Sequence, residues 1–346
     1  MTPPPCAPPV AAVGASSIVS TSSIVSTSSI VSTSSIVSTS TIVSDAEPLG
    51  MPQGLTAVLA DISRLVRPRI AIMVLATVCA ALWITAGSDR LPPDAVAWLL
   101  VGTALVAASS SVANQILERR TDGLMRRTAN RPIAAGRMTT TTAWGIAAIA
   151  LVAGLGCCAH AFGWPPAAAA LATWLLYVVV YTPLKRWSPL NTAVGAVAGA
   201  LPVAIGWLAA DGPARLAAGD VSTALAVAAL GTVLYLWQFP HFMAIAWLYR
   251  RDYAAAGLRM LTVDDPTGLR AAGQALAAAL AMIPVGLVLA VPTGGIRLFV
   301  AAAVAGIVYA AATVRFAIRR DDRSARGLLL VSIGTLLAIL ASSILF

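Results

Sequence analysis

The sequence predicts an all-α, polytopic membrane protein, and three observations carry that class. Of its 346 residues 58% are hydrophobic and only 11% charged, with a mean hydropathy of +0.84; soluble globular domains carry about a quarter charged residues. Nine apolar stretches are each long enough to cross a hydrocarbon core of about 30 Å as a helix. Basic residues collect in alternate connections between those stretches. The net charge of +9 is therefore a matter of topology and of attraction to anionic lipid heads. It is no argument for nucleic acid.

Taken in order, the predicted spans are residues 69–87, 95–117, 142–160, 166–183, 190–210, 222–248, 273–292, 295–314 and 328–345. Cytoplasmic loops collect Lys and Arg. With the N-terminus placed in the cytoplasm, all of the 23 basic residues except Arg90, Arg215 and Arg297 fall on the inner side. Nine spans then put the C-terminus outside.

Residues 1–50 form a separate region. The hexapeptide SIVSTS runs from Ser17 through Thr39, a variant copy ends at Ser44, and no charged residue precedes Asp45. Such a tract has no basic n-region and no continuous apolar core, so it is not a signal peptide. It also lacks the arginines of a mitochondrial presequence, which points to a bacterial plasma membrane. Low complexity predicts a disordered tail over 1–50 and one membrane domain over 51–346, with Met51 as an alternative start. The four cysteines, Cys6, Cys79, Cys157 and Cys158, show no metal-binding spacing and read as small apolar residues.

The chemistry concentrates in NQILERRTDGLMRRTANRPI, Asn114 to Ile133. Asn114, Glu118 and Asp122 are spaced i, i+4, i+8, so a helix holds all three on one stripe at the inner end of the second span. An acid at the centre of a membrane helix costs about 2.5 to 3.5 kcal/mol on insertion scales, so it has a partner or a function. Oxygen ligands of these types suit Mg²⁺, which is normally shared with substrate phosphates. Arg126, Arg127 and Arg131 follow, with the forked guanidinium geometry that phosphate recognition favours. Similar ingredients recur at two further inner ends. His241 lies inside the sixth span and Asp252 three turns beyond it, on the same face if the helix continues. Lys185, the only lysine of the chain, stands beside Arg186 after the fourth span. Gly195, Gly199, Pro202 and Gly206 would let helices approach and bend around a cavity.

NQILERRTDGLMRRTANRPIAAGRM, together with VRPRI before it and YTPLKR, NTAVGAVAGALPVAIGW and HFMAIAWLYRRDYAAAGLRML after it, resembles the protoheme IX farnesyltransferases (heme O synthases). These belong to the UbiA superfamily of intramembrane prenyltransferases, and the resemblance covers about residues 60–345. It implies nine helices around a central cavity, Mg²⁺ as cofactor, farnesyl diphosphate and heme b as substrates, and heme O as a product for terminal oxidases. Contact with heme A synthase or oxidase assembly factors would follow. By the same resemblance Asn114, Glu118 and Asp122 fall on the first Asp-rich motif as metal ligands, with Glu where Asp is commoner in the middle. Arg127, Arg131, Lys185 and Arg186 fall on diphosphate-binding positions. His241 falls on the histidine that marks heme substrates, and Asp252 is the sole carboxylate of a reduced second motif, also a metal ligand. Asn114, Asp122, His241 and Asp252 are then the catalytic set. Two alternatives stand beside this reading: the same fold acting on a quinone precursor, which normally has a second DxxxD, and a transporter, which more often has internal repeats and acids near the midplane.

Overall fold

The computed structural model describes residues 54–87, 89, 91–290 and 295–345. The repeat tail of residues 1–50 lies outside the described residues, as does the tail's boundary at Met51. The described residues contain helices and no strand, and nine of the helices are long and apolar enough to cross a membrane.

Chain order gives an amphipathic helix α1 (Leu55–Val66), then α2 (Pro68–Ala86), α3 (Pro93–Leu124) and α4 (Thr140–Phe162). Next come α5 (Trp164–Leu184) and α6 (Asn191–Ala209), the short α7 (Gly212–Ala217) and the long α8 (Val221–Leu248). Two short helices follow, α9 (Arg250–Ala255) and α10 (Leu261–Asp264), before α11 (Leu269–Ala290), α12 (Ile296–Arg319) and α13 (Asp322–Leu345). Their starts follow local chemistry. Pro68 and Pro93 occupy first-turn positions, where no intrahelical N–H bond is lost. The side chains of Thr139 and Asp220 cap α4 and α8 by accepting from the N–H of Thr142 at 3.2 Å and of Thr223 at 3.1 Å.

Successive spans pack side by side, and α13 returns to α2 and closes the ring. In a bilayer, helices associate by close van der Waals packing more than by apolar burial, and glycine permits the closest approach. A Cβ at Gly102 would come within 2.6 Å of the Gly154 carbonyl, and one at Gly154 within 2.7 Å of the Gly102 carbonyl, so α3 and α4 nearly touch along their backbones. Gly206 does the same for α6 on α2, where a Cβ would meet the Val78 carbonyl at 2.4 Å. Pro202 restarts α6 after a turn at Leu201. The α2–α3 and α6–α8 connections are tied by an ion pair between Arg215 and Asp89.

Two expectations change. The second and ninth spans are longer than hydropathy predicts, α3 reaching Leu124 and α13 starting at Asp322, because helices continue past the apolar slab with long Arg side chains reaching water. The helix carrying His241 does not continue to Asp252. It ends at Leu248 and restarts at Arg250, so those two residues do not share a helical face.

Candidate functional site

The extension of α3 beyond the apolar slab places the polar stripe. Asn114 and Asp122 are fully buried and Glu118 is 8% exposed, so each carries a polar group that must be answered from a neighbouring element. The Asn114 amide donates to Thr182 Oγ1 at 3.1 Å, and its oxygen accepts from Arg67 Nη2 at 3.2 Å. Glu118 accepts from Lys185 Nζ at 2.7 Å and lies 3.9 Å from Arg131 Nη1. Asp122 Oδ2 accepts from the same Arg131 nitrogen at 2.5 Å. The other oxygen, Asp122 Oδ1, is buried without a hydrogen-bond partner.

Each partner is positioned by a local irregularity. Arg67 joins α1 to α2 in the left-handed region at φ 54°, a conformation that costs energy without glycine and is common at functional sites. Thr182 and Lys185 follow a π-helical turn, Leu176–Tyr181, within α5; such turns are mostly single insertions at functional sites. Thr182 Oγ1 donates to the Tyr177 carbonyl at 2.8 Å across that turn, and Lys185 Nζ sits 4.4 Å above the Tyr181 ring. Gly195 leaves room for the ring, since a Cβ there would lie 2.6 Å from it.

The electrostatics follow from burial and pairing. Desolvation acts to lower the Lys185 pKa, but the Glu118 carboxylate outweighs it, and the ammonium is held well above the ordinary range. Burial and the nearby Arg67 lower that of Arg131, only partly offset by Asp122 and Glu118. An entering anion would therefore relieve Arg131 as well as bind to it. Outside the core, Arg137 grips Asp61 of α1 with two bonds of 2.7 Å and donates to the side chain and carbonyl of Asn130 at 3.0 Å each. That strut fixes α1 against the loop that carries Arg131.

Above the stripe lies a pocket of about 270 Å³, lined by Arg64, Arg67, Arg127, Thr128, Asn130 and Arg131. Arg127 donates to the Tyr253 hydroxyl at 3.3 Å and stacks 4.5 Å over the Tyr249 ring. Between α6 and α8 a second, apolar cavity of about 430 Å³ is lined by Val197, Leu201, Trp207, Val227, Gly231 and Tyr235 among others.

Asn114, Glu118, Asp122, Arg131 and Lys185 thus form one cluster, with Arg127 on the adjoining pocket. Arg186 is exposed and Asp252 half-buried, and neither has an ion pair with the cluster among the described residues. His241 is elsewhere, on the face of α8 toward α13, with Nδ1 2.7 Å from Ser332 Oγ. Sequence reasoning missed Arg64 and Thr182 as members of the site. Arg67 was visible in the VRPRI motif, yet its left-handed conformation and its bond to Asn114 were not.

A metal would fit here only in company. Among the described residues no three His, Cys, Asp or Glu side chains gather to hold one. The unpartnered Asp122 oxygen is nonetheless the acceptor a hard cation takes, and Mg²⁺ completes its shell with waters and substrate phosphates.

The chain matches the model of the UbiA prenyltransferase family over residues 74–339. It is 43% identical over 284 residues to a protoheme IX farnesyltransferase of Rhodopirellula baltica, covering 80% of this chain and 96% of that one. A protoheme IX farnesyltransferase of Opitutus terrae is 38% identical, covering 84% and 95%. Among solved structures, a study of digeranylgeranylglyceryl phosphate synthase in membranes superposes with a TM-score of 0.65 at 16% identity, over 83% of this chain and 99% of that one. A UbiA homolog from Archaeoglobus fulgidus bound to DMAPP and Mg²⁺ gives 0.56 at 15%, over 83% and 100%. Fold, family match and relatives of this identity agree, and the chain belongs to the UbiA prenyltransferase family.

Proposed function

We propose that this prenyltransferase moves a farnesyl group from farnesyl diphosphate to a vinyl group of heme b, with addition of water, giving heme O and diphosphate. The observation that carries the phosphate half is the buried Asn114–Glu118–Asp122 stripe meeting a pocket with four arginines. The acceptor half is supported by the relatives' names and by His241 within the bundle.

In the reaction the C1–O bond of farnesyl diphosphate breaks and its electron pair leaves with diphosphate. The vinyl group supplies the pair for the new C–C bond, and water adds to the carbon left electron-poor, losing a proton. Arg64, Arg67, Arg127 and Arg131 bind the diphosphate and stabilise the charge that grows on it. Lys185, kept protonated by Glu118, adds a fixed positive charge at the same end. Mg²⁺, when bound, would be held through the unpartnered Asp122 oxygen beside Glu118, with waters and substrate phosphates completing its shell, and would supply Lewis-acid stabilisation of the departing oxygens. The apolar groove between α6 and α8 suits a C15 chain, at about 0.8 kcal/mol per buried CH₂.

The positions of the basic residues support a cytoplasmic N-terminus, a cytoplasmic phosphate site and a bacterial plasma membrane as the address. Mass spectrometry of the hemes from cells expressing the chain tests the reaction. Heme O is the expected product; heme b alone, with the protein abundant and folded, would overturn it.

A further inference from the structure

Where α8 meets α13, two hydrogen bonds fix the position of a proton. His241 Nδ1 lies 2.7 Å from Ser332 Oγ, and that Oγ lies 2.6 Å from the Leu329 carbonyl. A serine hydroxyl has one hydrogen and a carbonyl has none, so the short Oγ–carbonyl contact consumes the Ser332 hydrogen. With the Ser332 hydrogen on that carbonyl, Oγ meets Nδ1 as an acceptor. In that arrangement the hydrogen between them is the imidazole's.

The ring itself is neutral on packing grounds. No carboxylate forms an ion pair with it among the described residues, and an unpaired charge within a span is costly. A neutral imidazole with its hydrogen on Nδ1 carries its lone pair on Nε2. The ring cannot easily turn to exchange the two nitrogens. It stacks on Trp237 with centroids 4.7 Å apart and planes 25° apart, and Trp237 Nε1 donates to the Ser332 carbonyl at 2.7 Å. Tyr309, fully buried on α12, donates to the Trp237 carbonyl at 2.6 Å, close in the chain to Pro240, which has no N–H to offer the turn before it.

We propose that Ser332 is a positioning residue that locks His241 as the Nδ1–H tautomer and keeps the Nε2 lone pair free for the porphyrin substrate. This rests on the heme reading above for the identity of that substrate, but the tautomer stands on geometry. It is the opposite of the Nε2–H form that free histidine prefers. Without the Ser332 hydroxyl the proton moves to Nε2, and the lone pair turns toward α13.

Because the chain has two histidines, His160→Gln leaves one imidazole to observe. ¹⁵N-histidine spectra of that protein in detergent should show a pyrrole-type Nδ1 and a pyridine-type Nε2. Ser332→Ala should reverse the pair, while Ser332→Thr, which keeps the hydroxyl, should preserve it. In parallel, Ser332→Ala should lower heme O formation at least tenfold with KM for farnesyl diphosphate unchanged, and Ser332→Thr should retain it. A proton on Nε2 in the parent protein, or a Ser332→Ala spectrum identical to the parent's, overturns the proposal. A reversed tautomer with undiminished heme O formation overturns the positioning role. If the parent spectrum is as expected but the parent makes no heme O, the acceptor reading falls and the tautomer assignment stands.

Discussion

At the scale of single residues, Asp122 has one oxygen committed to Arg131 and one buried with no partner. Asp122→Asn keeps the volume but removes the charge and turns part of the group into a donor. Turnover should fall at least tenfold at limiting Mg²⁺, about 1.4 kcal/mol of barrier; unchanged turnover would refute a ligand role. His241 and Asn114 answer to different partners, Ser332 and Trp237 for the first, Arg67 and Thr182 for the second. His241→Ala should therefore abolish heme O formation with farnesyl diphosphate affinity nearly unchanged, and Asn114→Ala should weaken farnesyl diphosphate binding with heme b affinity nearly unchanged. Binding of each substrate, measured separately, decides. If both variants lose diphosphate affinity alike, the division into a phosphate end and a porphyrin end is wrong.

At the scale of elements, α1 is held to the α3–α4 loop by Asp61 and Arg137, whose side chains are 12% and 14% exposed. The hydrogen bond and charge of Arg137 outweigh desolvation and keep the Asp61 carboxyl below its usual range, and the same pair raises the pKa of Arg137. A carboxylate with a depressed folded-state pKa stabilises above its unfolded value and loses that contribution as pH falls through the folded one. The docking of α1 should thus be constant near neutrality and loosen only below about pH 4, the ordinary aspartate range. A fluorophore on α1 would report this, and Asp61→Asn should show the loosened signal at every pH. Element identity was legible in advance because nine apolar runs leave a helix as the only spanning structure. The i, i+4, i+8 stripe was legible because α3 is regular. What was not legible depends on irregular backbone: the left-handed Arg67, the π turn before Lys185, and the break at Tyr249 that separates His241 from Asp252. None of these changes the hydrophobic pattern from which helices are read.

At the scale of the whole molecule, the matched family region begins at Val74, and a relative is covered over 96% of its length by 284 residues of this chain. Residues 2–50 add no charge before Asp45 and no matching motif. Deleting them should leave heme O synthesis intact at equal membrane abundance; lost activity would assign the repeats a role. The ring was predictable in helix number, nine spans among the described residues. Its closure of α13 on α2, and the seat of His241 against α13, depend on contacts between residues about ninety or more positions apart, which no local pattern encodes.

The π turn of α5 also gives that span slack. A regular helix advances about 100° per residue, so losing one residue rotates everything beyond it by that amount relative to what precedes. In α3, removing Ala108 would swing Asn114, Glu118 and Asp122 away from Arg67, Lys185 and Arg131. A π turn holds one residue more than the α turn it replaces, so removing the exposed Val179 lets the turn close to α while both ends of α5 keep their phase. A chain shortened at Val179 should still insert, accumulate and keep the Lys185–Glu118 pair, whereas one shortened at Ala108 should not. Parallel measurement of membrane abundance and thermal stability for the two deletions would expose the difference, and equal damage would mean that the extra residue is held as rigidly as any other.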